Sequence, residues 1–470
     1  MAAGATKFMP AAPNGSKLRC NRILTVHHPE PSSNLQQLKY AEKQAMPRTE
    51  AAPVSQKETH SAGASTRERL RQIALDLFWE KGYRKTSTRD LASALGVQQA
   101  SLYYHVKNKE ELLYDICYSS LEQVIQQVEA AARRAADPLE SLQMIAESHL
   151  TATLALQREA LVSMYDYRSL SAECNQEINA FWTRYEQMVT KIYDAAITAG
   201  MMRSGIPHKY HYHAVMSMAM WPVLWFRPDG ELPVKALARV FSDLYIKGAA
   251  APGVAIHLES SHEAIVAAGL EPQPICETRN ETHARLLDIS SMLFATRGYT
   301  TTSTREIAEA MGIEKASLYY YTKSKDDLCY QIIRSAHEYM LRRVTTALQG
   351  VRGAEARLLN LIVAHVVALL EHKNWLAVAN EQINFLGAKK RLEIVELRDR
   401  YEAFVRQILR EAQEAGVLRD DVSARYLGFA LLGMITHIYP WYQEEADIEP
   451  RSLALLLADL FLHGIRAQRK

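Results

Sequence analysis

Gln98, Gln99, Ser101, Tyr103, Tyr104 and His105 crowd amide, hydroxyl and imidazole groups into eight residues, and Lys107 and Lys109 follow at once. An amide side chain pairs with a base edge through two hydrogen bonds. Hydroxyl and imidazole groups reach bases or phosphates, and lysines supply the charge that dominates attraction to a phosphate backbone. A second set stands later in the chain: Lys315, Ser317, Tyr319, Tyr320 and Tyr321, followed by Lys323 and Lys325. Ahead of each set, Thr88 with Arg89 and Thr304 with Arg305 begin a helix whose first backbone N–H groups can hold a phosphate. This is the chemistry of reading a duplex groove rather than of making or breaking bonds.

The flanking residues specify the elements that carry these groups. An amphipathic helix ends at Gly82, and its twin ends at Gly298. Ser87-Thr88-Arg89-Asp90 and Ser303-Thr304-Arg305-Glu306 are capping boxes that start a short helix. Gly96 and Gly312 stop that helix in the left-handed conformation. A further short helix is expected to run through Ser101 to Tyr104, and through Ser317 to Tyr320. New capped starts follow at Asn108-Lys109-Glu110-Glu111 and Ser324-Lys325-Asp326-Asp327. Two short helices joined by a Gly-containing turn make a helix-turn-helix, whose second helix enters the major groove.

The duplication extends past the motif. Residues 69–116 and 285–332 align without a gap at an offset of 216, with about half the positions identical. The offset persists in Arg184-Tyr185-Glu186 with Arg400-Tyr401-Glu402, in Trp225 with Trp441, and in Gly248 with Gly464. Apolar residues recur at helical spacing and no alternating strand run is found, so the fold class is all-α. The expected organisation is an N-terminal disordered extension 1–62, a helix-turn-helix domain 63–112, a helical domain 113–250, a linker 251–278, a second helix-turn-helix domain 279–328 and a second helical domain 329–470. The linker carries Pro252, Gly253, Pro272 and Pro274, with a short helix expected near His262 to Ala268. Met46 is an alternative start to Met1.

The runs Thr86 to Lys109 and Thr302 to Lys325 resemble the helix-turn-helix of the TetR/AcrR family, through Leu102-Tyr103-Tyr104-His105 and Leu318-Tyr319-Tyr320-Tyr321. Val106 and Thr322 depart from the family's Phe, and Tyr321 departs from its His. The resemblance implies two tandem units, each with a three-helix reader and a C-terminal domain for ligand binding and dimerisation. It implies that the last two helices of each unit, near 209–226 with 233–248 and near 423–442 with 451–466, pair with those of a partner as a four-helix bundle. Candidate pocket residues are Met164, Tyr167, Phe181 and Trp182 in the first unit, and Trp375 and Phe385 in the second. The run Trp225-Phe226-Arg227-Pro228-Asp229-Gly230 resembles a loop of relatives that sense acyl-CoA or other apolar catabolic intermediates.

Composition sets the bounds. Net charge is +2 over 470 residues, so attraction to nucleic acid must come from local patches. No apolar run is long enough for a bilayer, and five scattered cysteines suit a reducing compartment. A cytoplasmic protein without membrane contact is expected. His208, His211 and His213 are spaced so that all three cannot share a helical face, so no metal site is expected. No phosphate loop, nucleophile elbow or zinc-protease motif occurs, so neither an enzyme nor a cofactor is expected.

These features predict a ligand-responsive regulator, most simply a repressor, whose partners are a double-stranded DNA operator and a small apolar effector. The readers differ, Gln98-Gln99 against Glu314-Lys315 and His105 against Tyr321, so the operator is expected to be asymmetric. The units can pair within one chain as a pseudo-dimer or between chains as a homodimer. The alternative is an interaction protein whose second repeat no longer reads DNA and serves as an intramolecular dimerisation partner.

Overall fold

The computed structural model describes residues 65–254, 256, 273–276, 280–444 and 448–467. The expected extension 1–62, Met46 and the expected helix near residues 262–268 lie outside them. Among the described residues there are eighteen α-helices, three short 3-10 turns and no strand. In the first unit these are α1 (Thr66–Lys81), α2 (Thr88–Leu95), α3 (Gln99–Leu102), α4 (Lys109–Ala132), α5 (Pro138–Ala155), α6 (Gln157–Asp166), α7 (Ala172–Thr198), α8 (His208–Met220) and α9 (Val234–Lys247). In the second they are α10 (Glu281–Arg297), α11 (Thr304–Met311), α12 (Lys315–Tyr321), α13 (Lys325–Ala347), α14 (Ala354–Glu371), α15 (Lys373–Glu381), α16 (Ala388–Glu414), α17 (Ala424–Thr436) and α18 (Pro450–His463). No helix among the described residues is long and apolar enough to cross a membrane.

The starts and stops are those the sequence encodes. Ser87 accepts from the Asp90 N–H while the Asp90 carboxylate accepts from the Ser87 N–H, and Ser303 with Glu306 repeats the exchange. These reciprocal bonds satisfy donors that a helix start otherwise leaves unpaired. Gly96 and Gly312 end the helices at φ +79° and +71°. Asn108 and Ser324 cap the long helices α4 and α13 through the N–H groups of Glu111 and Asp327.

Within each helical domain the apolar faces of α4 to α7, or α13 to α16, close one core. The last two helices of each unit then pack across the chain: α8 lies against α17, and α9 against α18. Stacked rings mark the crossing. Trp225 stacks on Phe429 at 4.0 Å, and Trp441 stacks on His213 at 4.5 Å. Each pair is the other shifted by the repeat offset, the signature of an isologous interface.

The backbone repeats the same relation. The Arg203 N–H donates to the Ile465 carbonyl and the Arg419 N–H donates to the Ala249 carbonyl, at 2.9 and 3.0 Å. Ala251, expected to open the linker, still belongs to this crossing, because its N–H donates to the Val417 carbonyl at 3.0 Å. Gly248 and Gly464 face each other here at φ +83° and +62°. A Cβ on Gly248 would stand 2.2 Å from the Leu462 carbonyl oxygen. Only a residue without a side chain permits that approach.

Candidate nucleic-acid interface

In the first reader α3 is anchored by Leu102, which is fully buried, while its solvent edge is left bare. Tyr103 and Tyr104 are 52% and 88% exposed, and Tyr319 and Tyr320 are 49% and 84% exposed. Large aromatic side chains rarely stay that accessible, and the exposure recurs at matched places in both units. Gln98, Gln99 and Lys107 are exposed beside them, as are Lys315, Ser317 and Lys323 in the second unit. Ser101, His105 and Tyr321 are half-buried at the same edge.

The expected helix through Tyr104 stops earlier in the first unit, at Leu102. Backbone bonds from Ser101 to Gln98, Tyr104 to Ser101 and His105 to Leu102 span three residues, which tightens the chain out of the α-helix. In the second unit the helix continues through Tyr321. The departures at Val106 and Thr322 do not touch the reading edge, because both side chains are buried and plug the reader core.

Lys109 and Lys325 stand differently from expectation. The Lys109 ammonium donates to the Tyr83 and Thr86 carbonyls at 2.7 and 2.8 Å, and Lys325 donates to Tyr299 and Thr302 at 2.8 and 2.9 Å. Each lysine also lies over a tyrosine ring. They tie the turn after the first helix to the start of the fourth, and burial lowers the pKa of both. Lys107 and Lys323 are left as the exposed lysines of the pattern.

Thr88 and Arg89 stand at the α2 start, half-buried and exposed. The Gln99 amide donates to the Thr88 hydroxyl at 2.8 Å, so the second and third helices of this reader are laced together at the edge facing outward. In the second reader, Thr304 lacks that partner type because Lys315 replaces Gln99, and Arg305 pairs with Glu309 at 2.9 Å. Arg84 and Lys85, outside the motif pattern, are exposed in the first reader, where the second has Thr300 and Thr301. Thr86 and Thr302, both 1% exposed, donate through their hydroxyls to carbonyls at the end of the first helix. Their position just before a capped Ser was the available signal.

Each reader is tied to a helical domain. The Tyr83 N–H donates to the Asp166 carboxylate at 3.2 Å, and burial pushes that carboxyl up to about 6. At the equivalent place the second unit has Gln382. The second reader is also held by the first unit: the Arg168 guanidinium donates to the Ala295 carbonyl at 2.9 Å and, beside it, to Glu381 of the second helical domain at 3.1 Å.

The candidate pocket residues do not converge on one cavity. Met164, Phe181 and Trp182 are half-buried against the first core. Tyr167 is 39% exposed, with the Arg168 guanidinium 5.7 Å from its ring. It faces outward because it sits in the 3-10 turn that ends α6. Trp375 is buried, its indole donating to Asp288 on α10, and Phe385 stacks on Tyr299 of the second reader. The latter two serve as contacts between domain and reader. Trp375 also walls an open cavity of about 630 Å³ between α10, α14 and α15. No group of three or more His, Cys, Asp or Glu among the described residues is arranged to hold a metal ion.

Comparison with known proteins accords with this geometry. The model "Bacterial regulatory proteins, tetR family" matches residues 71–116 and 286–331. The model "Tetracyclin repressor-like, C-terminal domain" matches residues 135–249 and 352–465. The chain is 25% identical over 193 residues to the HTH-type transcriptional repressor KstR2 of Rhodococcus jostii, covering 41% of this chain and 95% of that protein. It is 22% identical to the fatty acid metabolism regulator protein of Bacillus subtilis, covering 37% and 91%. Among solved structures, the TetR family regulator PfmR of Thermus thermophilus is 35% identical, covering 37% of this chain and 96% of that one, at a TM-score of 0.35. AibR in complex with isovaleryl coenzyme A and operator DNA is 23% identical, covering 38% and 97%, at a TM-score of 0.35. Each of these spans about one unit of the present chain. With two reader matches and two C-terminal matches in succession, the chain belongs to the TetR family of regulatory proteins, as a tandem of two units.

Proposed function

We propose that this chain is a transcriptional repressor whose two units pair within one molecule and place two unlike readers on an asymmetric operator, to be released by a small apolar effector. The observation that carries this reading is the reciprocity of the crossing: Arg203 pairs with Asp459, and Arg419 pairs with Asp243. A subunit interface built this way normally joins two copies; here both halves of the relation are found in one chain. The differing edges, Gln98-Gln99 with His105 against Glu314-Lys315 with Tyr321, support unlike half-sites. The effector class is supported by the likeness to AibR, whose structure holds isovaleryl coenzyme A, and to a fatty acid metabolism regulator.

The reading is tested by native mass spectrometry of the protein on its own promoter, with a footprint of both strands. One chain per operator and a footprint lacking a two-fold axis are expected. Two chains on a perfect palindrome overturn it. The second reader is proposed to read DNA, since Tyr319, Tyr320 and Lys323 keep the exposure of their counterparts. Lys323→Ala is therefore expected to lower both affinity and its dependence on salt.

A further inference from the structure

We infer that the first helical domain, and not the second, holds the effector site, and that His149 there donates a hydrogen bond to a carbonyl oxygen of an otherwise apolar ligand. This rests on the ligand-responsive reading above, and adds the place and the chemistry.

The two domains provide an internal comparison. In the first, His149 on α5 is 2% exposed, and its Nδ1 lies 3.2 Å from the Tyr185 hydroxyl of α7. In the second, His365 on α14 is 3% exposed, with its Nδ1 2.6 Å from the Tyr401 hydroxyl of α16. The dyads are the same pair at the repeat offset, but they differ at the far side of the ring. His365 Nε2 lies 3.2 Å from the Thr436 hydroxyl. His149 Nε2 is buried with no partner among the described residues, and Met220 stands where Thr436 would be.

The proton can be assigned. The Tyr185 hydroxyl makes no other hydrogen bond among the described residues; assigning it as donor to Nδ1, which leaves neither hydroxyl nor Nδ1 unpaired, places the imidazole proton on Nε2. Burial lowers the His149 pKa to about 4, so at neutral pH the ring offers one N–H and no charge. That group suits a neutral oxygen acceptor. A buried donor without an acceptor is costly, and such groups in native proteins call for an explanation. The second domain shows the same framework with the cost removed by one hydroxyl.

The surroundings diverge in the same sense. The hydroxyls of Tyr193 and Tyr245 are paired at 2.7 Å, where the second domain has Leu409 and Phe461. Met188 and Met216 are half-buried where the second has Phe404 and Leu432. Unbranched thioether chains yield to an incoming group more readily than aromatic or branched ones. Around the His149 ring the first core is therefore polar and deformable, while at the matched positions around His365 the second has Leu409, Phe461, Phe404 and Leu432. The acyl end of a thioester and an oxo-steroid both present the required acceptor on an apolar body.

The test is titration of the full chain with decanoyl-CoA, with its thioether analogue S-decyl-CoA, and with progesterone, by calorimetry and by displacement from a promoter fragment. A carbonyl-bearing probe is expected to bind once per chain, and which of the two binds distinguishes thioester from ketone. Met220→Thr supplies the missing acceptor and is expected to weaken that probe about tenfold, the scale of one hydrogen bond. His149→Phe gives the same loss should Met220→Thr fail to fold, and Thr436→Met is expected to bind as wild type does. If decanoyl-CoA is the ligand, the thioether analogue is expected to bind about tenfold more weakly. Two ligands per chain, unchanged binding by both first-domain variants, or no binding of either carbonyl probe overturns the inference. Promoter binding by the unliganded protein, measured alongside, judges the regulator reading separately.

Discussion

Arg203 and Asp459, 256 positions apart in the sequence, join the two units through two guanidinium–carboxylate bonds of 2.8 and 3.0 Å. The same relation recurs in reverse between Arg419 and Asp243 at 2.7 Å. Each aspartate also holds a second basic residue one helical turn on, His463 for Asp459 and Lys247 for Asp243. Both pairs are partly exposed, so each contributes on the order of 1 kcal/mol. Arg203→Ala and Arg419→Ala are expected to lower unfolding stability by about that amount singly and roughly additively together, measured by urea denaturation. Gly248→Ala is expected to cost more, roughly 2–4 kcal/mol, because its Cβ meets backbone rather than a movable side chain.

Two lysines that look alike in sequence are expected to behave differently. Lys107→Ala should reduce the slope of log affinity against log salt by about 1, with little change in stability. Lys109→Ala should lower stability by about 1–3 kcal/mol, since it orphans the Tyr83 and Thr86 carbonyls. Salt-dependent promoter binding and thermal unfolding of the two variants separate the roles. Equal salt slopes for the two would show that Lys109 reaches the phosphates after all.

Acid should unfold this protein through its buried histidines. Burial lowers the pKa of His149 to about 4, and of His211 and His365 to about 3. All three lie below the value near 6.5 of the unfolded chain, so the unfolded state binds more protons as pH falls through that value. Stability is then lost from about pH 6.5 downward, by about 2 kcal/mol per histidine at pH 5. Asp166 acts in the opposite direction. Its carboxyl is raised to about 6 in the fold, so it favours the native state as pH falls from about 6 toward 4. His437, lowered to about 4, and His337, also lowered by burial, add to the loss, while Glu402, raised to about 7, and Glu381, also raised, oppose it; the histidines outnumber the carboxyls and give a net loss. Asp166→Asn is expected to raise stability at pH 7 and to steepen the acid loss, read from denaturation midpoints across pH.

Arg168 is expected to control the reader of the other unit. Arg168→Ala removes the bonds to Ala295 and Glu381. Amide exchange at the end of α10 should quicken, and protection of one half-site should weaken several-fold in a footprint, while the other half-site keeps its affinity. Equal weakening at both half-sites would argue against a directed link.

The sequence announced the readers because their signals are local. Ser87 with Asp90 and Gly96, repeated at Ser303, Glu306 and Gly312, dictate helix boundaries through bonds spanning three or four residues, and these hold in the structure. The role of Lys109 was hidden, because nothing in a Lys-x-Lys spacing says which ammonium turns inward to carbonyls 23 and 26 residues earlier. The placement of Trp375 and Phe385 was hidden for the same reason: an aromatic at helical spacing has the same pattern whether it lines a pocket or seats a neighbouring domain. The His149–Tyr185 and His365–Tyr401 dyads lay in plain view at the repeat offset, yet they became informative only once Thr436 and Met220 could be compared at the far side of each ring.

The packing of α8 on α17 within a single polypeptide has a kinetic meaning. Two separate subunits meet at a rate set by how many molecules the cell holds, and they part on dilution. In the proposed pseudo-dimer the partner travels with the chain, so the fraction of joined units carries no concentration term. Occupancy of an operator then rises in proportion to copy number rather than to its square. A substitution in one reader also changes one half-site alone, which leaves each half open to drift toward a different sequence.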